Sequence, residues 1–205
     1  VTRAVKEPVV IVTAMGTVLK NDMLHSSNVG PGMDIVATKW VGLEGTAILA
    51  QEKEEELRER LSLPFIDKAK TFRQMMSILP EAAVAVKSGA SAMHDVSEGG
   101  IFGALWELAE SAGVGLEIDL KKIPIRQETI EICEFLDMNP YKMLSGGCLL
   151  IATEDGNGLV MELEKEDIPA VIIGKATDSN DRVLINEDER RFLETTQTDE
   201  LYNLQ

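Results

Sequence analysis

Aromatic residues make up only 4% of this 205-residue chain, and the sequence holds just two cysteines and two histidines. So thin an aromatic supply leaves Val, Ile, Leu, Ala and Met to build the core, which suits helices packed on a sheet better than an aromatic-rich β-sandwich. Two cysteines exclude a disulfide framework, and with two histidines, no HxxxH and no CxxC they exclude a structural zinc site. Positive charge is scarce too: 20 Lys+Arg face 35 Asp+Glu, a formal net charge of −15 that argues against nucleic acid as a partner. The longest apolar runs, Val9–Val12 and Ala82–Val86 among them, fall far short of the roughly 18 residues that a membrane span needs, and no basic segment precedes an apolar one. These absences predict a soluble protein of a reducing compartment, the cytoplasm.

What is present is a hydrophobic fraction of 44%, ample for a core. The length permits one large domain, and with no internal repeat and no low-complexity linker the expectation is a single domain over residues 1–205, with 1–8 a lead-in and 187–205 a polar tail that frays. The chain opens on Val1 rather than Met, which reads as a piece of something longer. Short β-branched runs predict strands over Val9–Thr13 and on towards Val18, Asp34–Lys39, Gly115–Leu120 and Cys148–Thr153. Ala170–Gly174 and Arg182–Ile185 read as a terminal hairpin. Apolar residues at helical spacing predict helices over Thr46–Leu61, Phe65–Leu79, Glu81–Lys87, Ile101–Ala112, Gln127–Leu136 and Gly158–Glu166. Strands and helices alternate without a strict βαβ rhythm, so the fold class is α+β: a mixed β-sheet with covering helices in a three-layer α/β/α arrangement.

One stretch carries most of the chemistry. In Met93-His94-Asp95-Val96-Ser97-Glu98-Gly99-Gly100 an acid, a small hydroxyl and two glycines arrive directly before a long amphipathic helix. Free N–H groups and the macrodipole favour an anion at such a start, Gly99 and Gly100 let a ligand approach the backbone, and Ser97 can cap the helix or add a donor. Asp95 is wrong for a bare phosphate but suits the Mg²⁺ that accompanies one. The competing reading makes Ser97 an ordinary N-cap and Asp95 a turn residue. Gly42-Leu43-Glu44-Gly45-Thr46 before a helix and Ser145-Gly146-Gly147 before a strand are weaker glycine elements, without the Lys of a P-loop or a full GxGxxG.

These three elements, in this order, resemble the C-terminal domain of the aminoimidazole ribonucleotide (AIR) synthase superfamily, with the HypE-like hydrogenase-maturation branch nearest. Gly32-Met33-Asp34-Ile35-Val36 and Gly42 to Leu49 look like the domain's opening strand and helix, Ala92 to Gly100 with Gly103-Ala104-Leu105 like its acidic and glycine signature, and Leu144 to Leu150 like its later strand motif. The resemblance implies ATP and Mg²⁺ as cofactors and phosphoryl activation of an amide-like or carboxyl-like oxygen. It places Asp95 at the metal, and Ser97, Glu98, Gly99, Gly100, Glu44, Gly45, Ser145, Gly146 and Gly147 at the nucleotide. It implies as partners an N-terminal ATP-binding domain with no counterpart in this chain, a second copy in a homodimer, and a small-molecule or maturation-protein substrate. HypE-like proteins end on a cysteine that carries the group being dehydrated, whereas this chain ends Leu201-Tyr202-Asn203-Leu204-Gln205. The alternative reading is therefore a non-catalytic ligand- or protein-binding module that keeps the fold.

Overall fold

Short aliphatic runs bounded by Gly, Pro, Asn and Asp become the strands of one seven-stranded mixed sheet. The computed structural model describes residues 10–195 and 198–203. In chain order its elements are β1 (Asp34–Thr38), α1 (Leu43–Glu52), α2 (Glu54–Leu57), α3 (Leu63–Lys70), α4 (Leu79–Lys87), β2 (Ala92–Val96) and α5 (Gly100–Ala112). There follow β3 (Gly115–Asp119), α6 (Gln127–Phe135), β4 (Cys148–Thr153), α7 (Gly156–Lys165), β5 (Ala170–Thr177), β6 (Arg182–Asn186) and β7 (Glu189–Phe192). The strand order is β2-β4-β1-β5-β3-β6-β7, antiparallel at every pairing except β3 with β6.

Successive strand residues point to opposite faces, and the two faces are covered differently. On one side Ile35, Ala37, Ala92, Val96, Cys148, Leu150 and Ala152 pack against Ile101, Leu105, Leu108 and Ala109 of α5. On the other, Val36, Leu149 and Ile151 meet Ala85 of α4 and Leu159 and Leu163 of α7. The expected three layers are therefore present. A bulge between Ile35 and Val36 slips the β1–β5 register, so Val171, Ile173 and Ala176 all face α5 although the last two lie three apart. Beyond the sheet, α1, α3 and α6 form a satellite core around Leu49, Leu57, Ile66, Ile132, Cys133 and Met143. Among the described residues no helix is long and apolar enough to cross a membrane.

Several sequence expectations are corrected. Residues 10–19 form no strand and leave Val10, Ile11, Val12 and Met15 in solvent, while Val9 lies outside the described residues; β-branching alone cannot make a strand without a neighbour to pair with. The Thr46–Leu61 helix is two helices that start earlier and break at Lys53, and Phe65–Leu79 is split by a 3-10 turn over Thr71–Met75 that leaves Leu79 exposed. β5 and β6 do not pair as a hairpin, because β3 lies between them; β6 turns back instead onto β7. The stretch after Asn186 is no frayed tail, since it supplies β7, a 3-10 turn over Glu200–Asn203 and the buried residues Leu193 and Asp199.

Both cysteines are free, as their scarcity and separate elements predict: Cys133 packs on α6 and Cys148 opens β4. Burial pushes both thiols up to about 12, with Glu200 adding to the effect at Cys133. Because these groups are harder to ionise folded than unfolded, the stability they contribute is complete below the ordinary thiol value near 9 and is lost as the pH climbs towards 12. The expected outcome is that native protein at pH 8 resists iodoacetamide at both thiols while urea-unfolded protein takes two labels, and that denaturation midpoints fall only above about pH 9.

Candidate functional site

The three glycine segments that the sequence singles out meet at one end of the sheet, and Ser145 is where they join. Its hydroxyl, fully buried, accepts from the Gly42 N–H at 2.7 Å and donates to the Met143 carbonyl at 2.7 Å. Its own N–H donates to the Ser97 carbonyl at 3.3 Å, and the Gly45 N–H donates to the Leu144 carbonyl at 2.9 Å. The starts of α1, α5 and β4 are thus bound to one another through main-chain groups. Glycine is required for the fit: a Cβ on Gly100, whose φ is +63°, would stand 2.5 Å from the Tyr141 carbonyl and 2.8 Å from the Met143 N. On Gly146 a Cβ would run into the Glu44 carboxylate, so Glu44, at the acid-favouring first turn of α1, lies directly against that loop.

Gly147 adds a fourth wall. Its φ is +100°, and a Cβ there would meet the Met75 carbonyl at 2.6 Å. That carbonyl accepts from Lys39 Nζ at 2.8 Å; the same ammonium donates to the Ser77 carbonyl at 2.7 Å and lies 2.6 Å from Glu81 Oε1. Lys39, with a left-handed φ of +52°, and Glu81 are both buried, and Glu81 Oε2 has no hydrogen-bond partner. No sequence signal marked this pair, since a lysine ending a strand and a glutamate opening a helix are ordinary surface residues by composition.

The start of α5 departs from the Ser97-cap reading. The N-cap is Gly99, at φ +79°, with no cap from its own side chain. Ser97 is exposed and acts through its carbonyl, which accepts from Gly100 as well as from Ser145. The first intrahelical bond runs from the Gly103 N–H to the Gly99 carbonyl at 3.1 Å, so the preceding N–H groups define the positive end. The Gly99 N–H donates to Asp199 Oδ2 at 2.7 Å, a partner that a reading of the C-terminus as a polar tail misses.

Asp95 and Glu98 are exposed. Ala92 and Val96 face α5, and His94 Nε2 lies 3.2 Å from Glu107 of that helix, so alternation along β2 sends Asp95 to the opposite face of the sheet. His94 Nδ1 lies 2.7 Å from the Asp95 carbonyl. His94 is therefore a tie between β2 and α5. The structure brings together Ser97, Gly99, Gly100, Glu44, Gly45, Ser145, Gly146 and Gly147, and sets Asp95 across the strand from the helix start. Among the described residues no group of three His, Cys, Asp or Glu gathers as a metal cage. Asp95 offers a single exposed carboxylate, the type of ligand that Mg²⁺ combines with phosphate oxygens and water.

Architecture and corner together define a class: an α/β/α domain whose sheet-packed helix opens on a glycine corner closed by two further glycine segments. The chain belongs to the family described as AIR synthase related protein, C-terminal domain, which matches residues 30–186. It is similar to the carbamoyl dehydratase HypE of Rhodobacter capsulatus, 25% identical over 171 residues that cover 82% of this chain and 48% of that protein. The phosphoribosylformylglycinamidine synthase subunit PurL of Methanopyrus kandleri is 30% identical over 185 residues, 84% of this chain and 24% of that protein. The chain thus spans about half the length of the first of these relatives and about a quarter of the second. Among solved structures, Escherichia coli HypE superposes with a TM-score of 0.70 at 20% identity over 87% of this chain and 54% of that one. A HypE in complex with ATP superposes with a TM-score of 0.65 at 17% identity over 88% and 56%, and a chain of a HypE–HypF complex with 0.64 at 18% identity over 84% and 55%. At those identities the superpositions establish the fold.

Two outcomes test this geometry. Lys39→Met strands the buried Glu81 carboxylate and should cost about 3–5 kcal/mol in urea unfolding, with Lys39→Met/Glu81→Gln regaining part of the loss. Gly100→Ala forces a side chain into a left-handed position against two carbonyls and should cost at least about 1 kcal/mol from the backbone alone, whereas Gly89→Ala, also at positive φ but with nothing within 4 Å, should cost less.

Proposed function

We propose that this chain forms one wall of an ATP-dependent phosphoryl-activation site of the AIR-synthase-related kind, acting on an amide-like or carboxyl-like oxygen, with hydrogenase maturation as the pathway. The observation that carries the reading is the convergence of three glycine segments on Ser145, which packs the loops of α1 and β4 directly against the N–H end of α5. Gly99 would present its N–H to a phosphate oxygen in place of Asp199, with the Gly100 N–H held by the Ser97 carbonyl, while Ser145 would hold the Gly42 and Met143 backbone in place and Glu44 would order the Gly146 loop. Mg²⁺ entering with the nucleotide would be held by Asp95 and supplies neutralisation of phosphate charge. The relatives' additional length accords with the remainder of the site coming from an N-terminal ATP-binding domain. Exposed apolar residues over 10–19 accord with a partner surface there. The same reading expects a homodimer, a maturation-protein or small-molecule substrate, and a cytoplasmic location.

The test is Mg²⁺-dependent ATP binding and phosphate release by this chain alone and with a separately expressed N-terminal half of a HypE relative. The chain alone should show no enzyme-scale turnover, because positioning and charge stabilisation need both walls. In the reconstituted protein Asp95→Asn should weaken ATP handling by at least about tenfold, on the order of 1.4 kcal/mol, with the melting temperature unchanged. Unaltered ATP handling with lowered stability would make Asp95 a turn residue and sink its assignment.

A further inference from the structure

We infer that residues 198–203 form a carboxylate-bearing strap that holds the anion corner shut, with Asp199 occupying the position of an incoming phosphate. The inference rests on the reading of that corner as a phosphate site and adds its regulation.

Asp199 comes from the far end of the chain, exactly one hundred positions beyond the glycine it meets, and is only 2% exposed. Its Oδ2 accepts the Gly99 N–H at 2.7 Å, while its Oδ1 accepts the Leu201 N–H at 3.0 Å. A buried carboxylate persists only where charge-assisted donors and a favourable field replace water, and the first turn of a helix supplies both. α5 has no acid in its own first turn and leaves Ser97 unused as a cap. The charge at its start is thus delivered from elsewhere.

The surroundings suit displacement better than permanent capping. Beside the corner lies a cavity of about 340 Å³ lined by Phe102 in the first turns of α5, Asn139, Lys142, Arg191, Phe192 and Glu194. That volume suits a small ligand, and in a strongly acidic chain two cations border it. The approach to the strap lays an acid there as well, with Glu194 Oε2 3.8 Å from Lys142 Nζ. Leu193 is buried in the main core, but in the strap itself Leu201 is the apolar anchor, partly buried against the satellite core. A phosphate group and the Asp199 carboxylate cannot share the Gly99 N–H. Strap docking and anion binding are therefore mutually exclusive and oppose each other equally.

Pyrophosphate with Mg²⁺, titrated into the ¹⁵N-labelled chain, into Asp199→Asn and into a chain ending at Thr195, tests this. The expected result is binding at least tenfold tighter in both altered forms, a shift of the Gly99 amide in each titration, and faster hydrogen exchange at Leu201 and Tyr202 when pyrophosphate saturates the full chain. Equal affinity in all three forms, with Gly99 shifting in each, overturns the strap while the phosphate corner stands. No binding and no Gly99 shift in any form overturns the corner and the strap together. Asp199→Asn keeps the side chain's shape, so the comparison survives if the shortened chain fails to fold.

Discussion

Ser145 is the constraint on which the site depends. A buried hydroxyl must both donate and accept to offset its lost hydration, and here it accepts from the distant Gly42 N–H and donates to the Met143 carbonyl of its own segment. Its backbone reaches a third, at Ser97. Three chain segments separated by dozens of residues are thereby fixed to hydrogen-bond tolerance. The Lys39–Glu81 pair extends the same frame, because it fixes the Met75 carbonyl against which Gly147 closes.

This arrangement explains why the glycines cluster at junctions. At Gly100 and Gly147 the backbone is left-handed and another segment's carbonyl occupies the space of a side chain. Packing alone demands glycine at these positions. A glycine-rich corner is therefore compatible with a phosphate site while being needed for the packing itself.

The layers of the fold were legible in the sequence because burial imposes periodicity. Cys148–Thr153 is a central strand buried on both faces and reads as an unbroken apolar run, and α5 carries its apolar stripe between a glycine start and a glycine stop. Pairing was not legible: β5 and β6 look like hairpin partners along the chain, yet β3 separates them. The candidate site was legible as three segments and not as one place, since nothing in Gly42–Thr46 announces contact with Ser145. Asp199 left no trace at all. A lone aspartate in a polar stretch looks solvated until the fold brings Gly99 to it.

The strand order also sets how the molecule must come together. Among the described strands only β6 and β7 are neighbours both along the chain and in the sheet; β1 waits for β4 and β5, more than a hundred residues downstream. At ordinary synthesis rates that wait is roughly 7–28 s until β5 is complete, during which β1 has no edge to pair with. Such non-local topology folds slowly and leaves strand edges open to association with other chains. The sheet therefore cannot close around β1 until β5 is available, and the α5 start gains its Asp199 cap only when a segment one hundred residues further on folds back onto it.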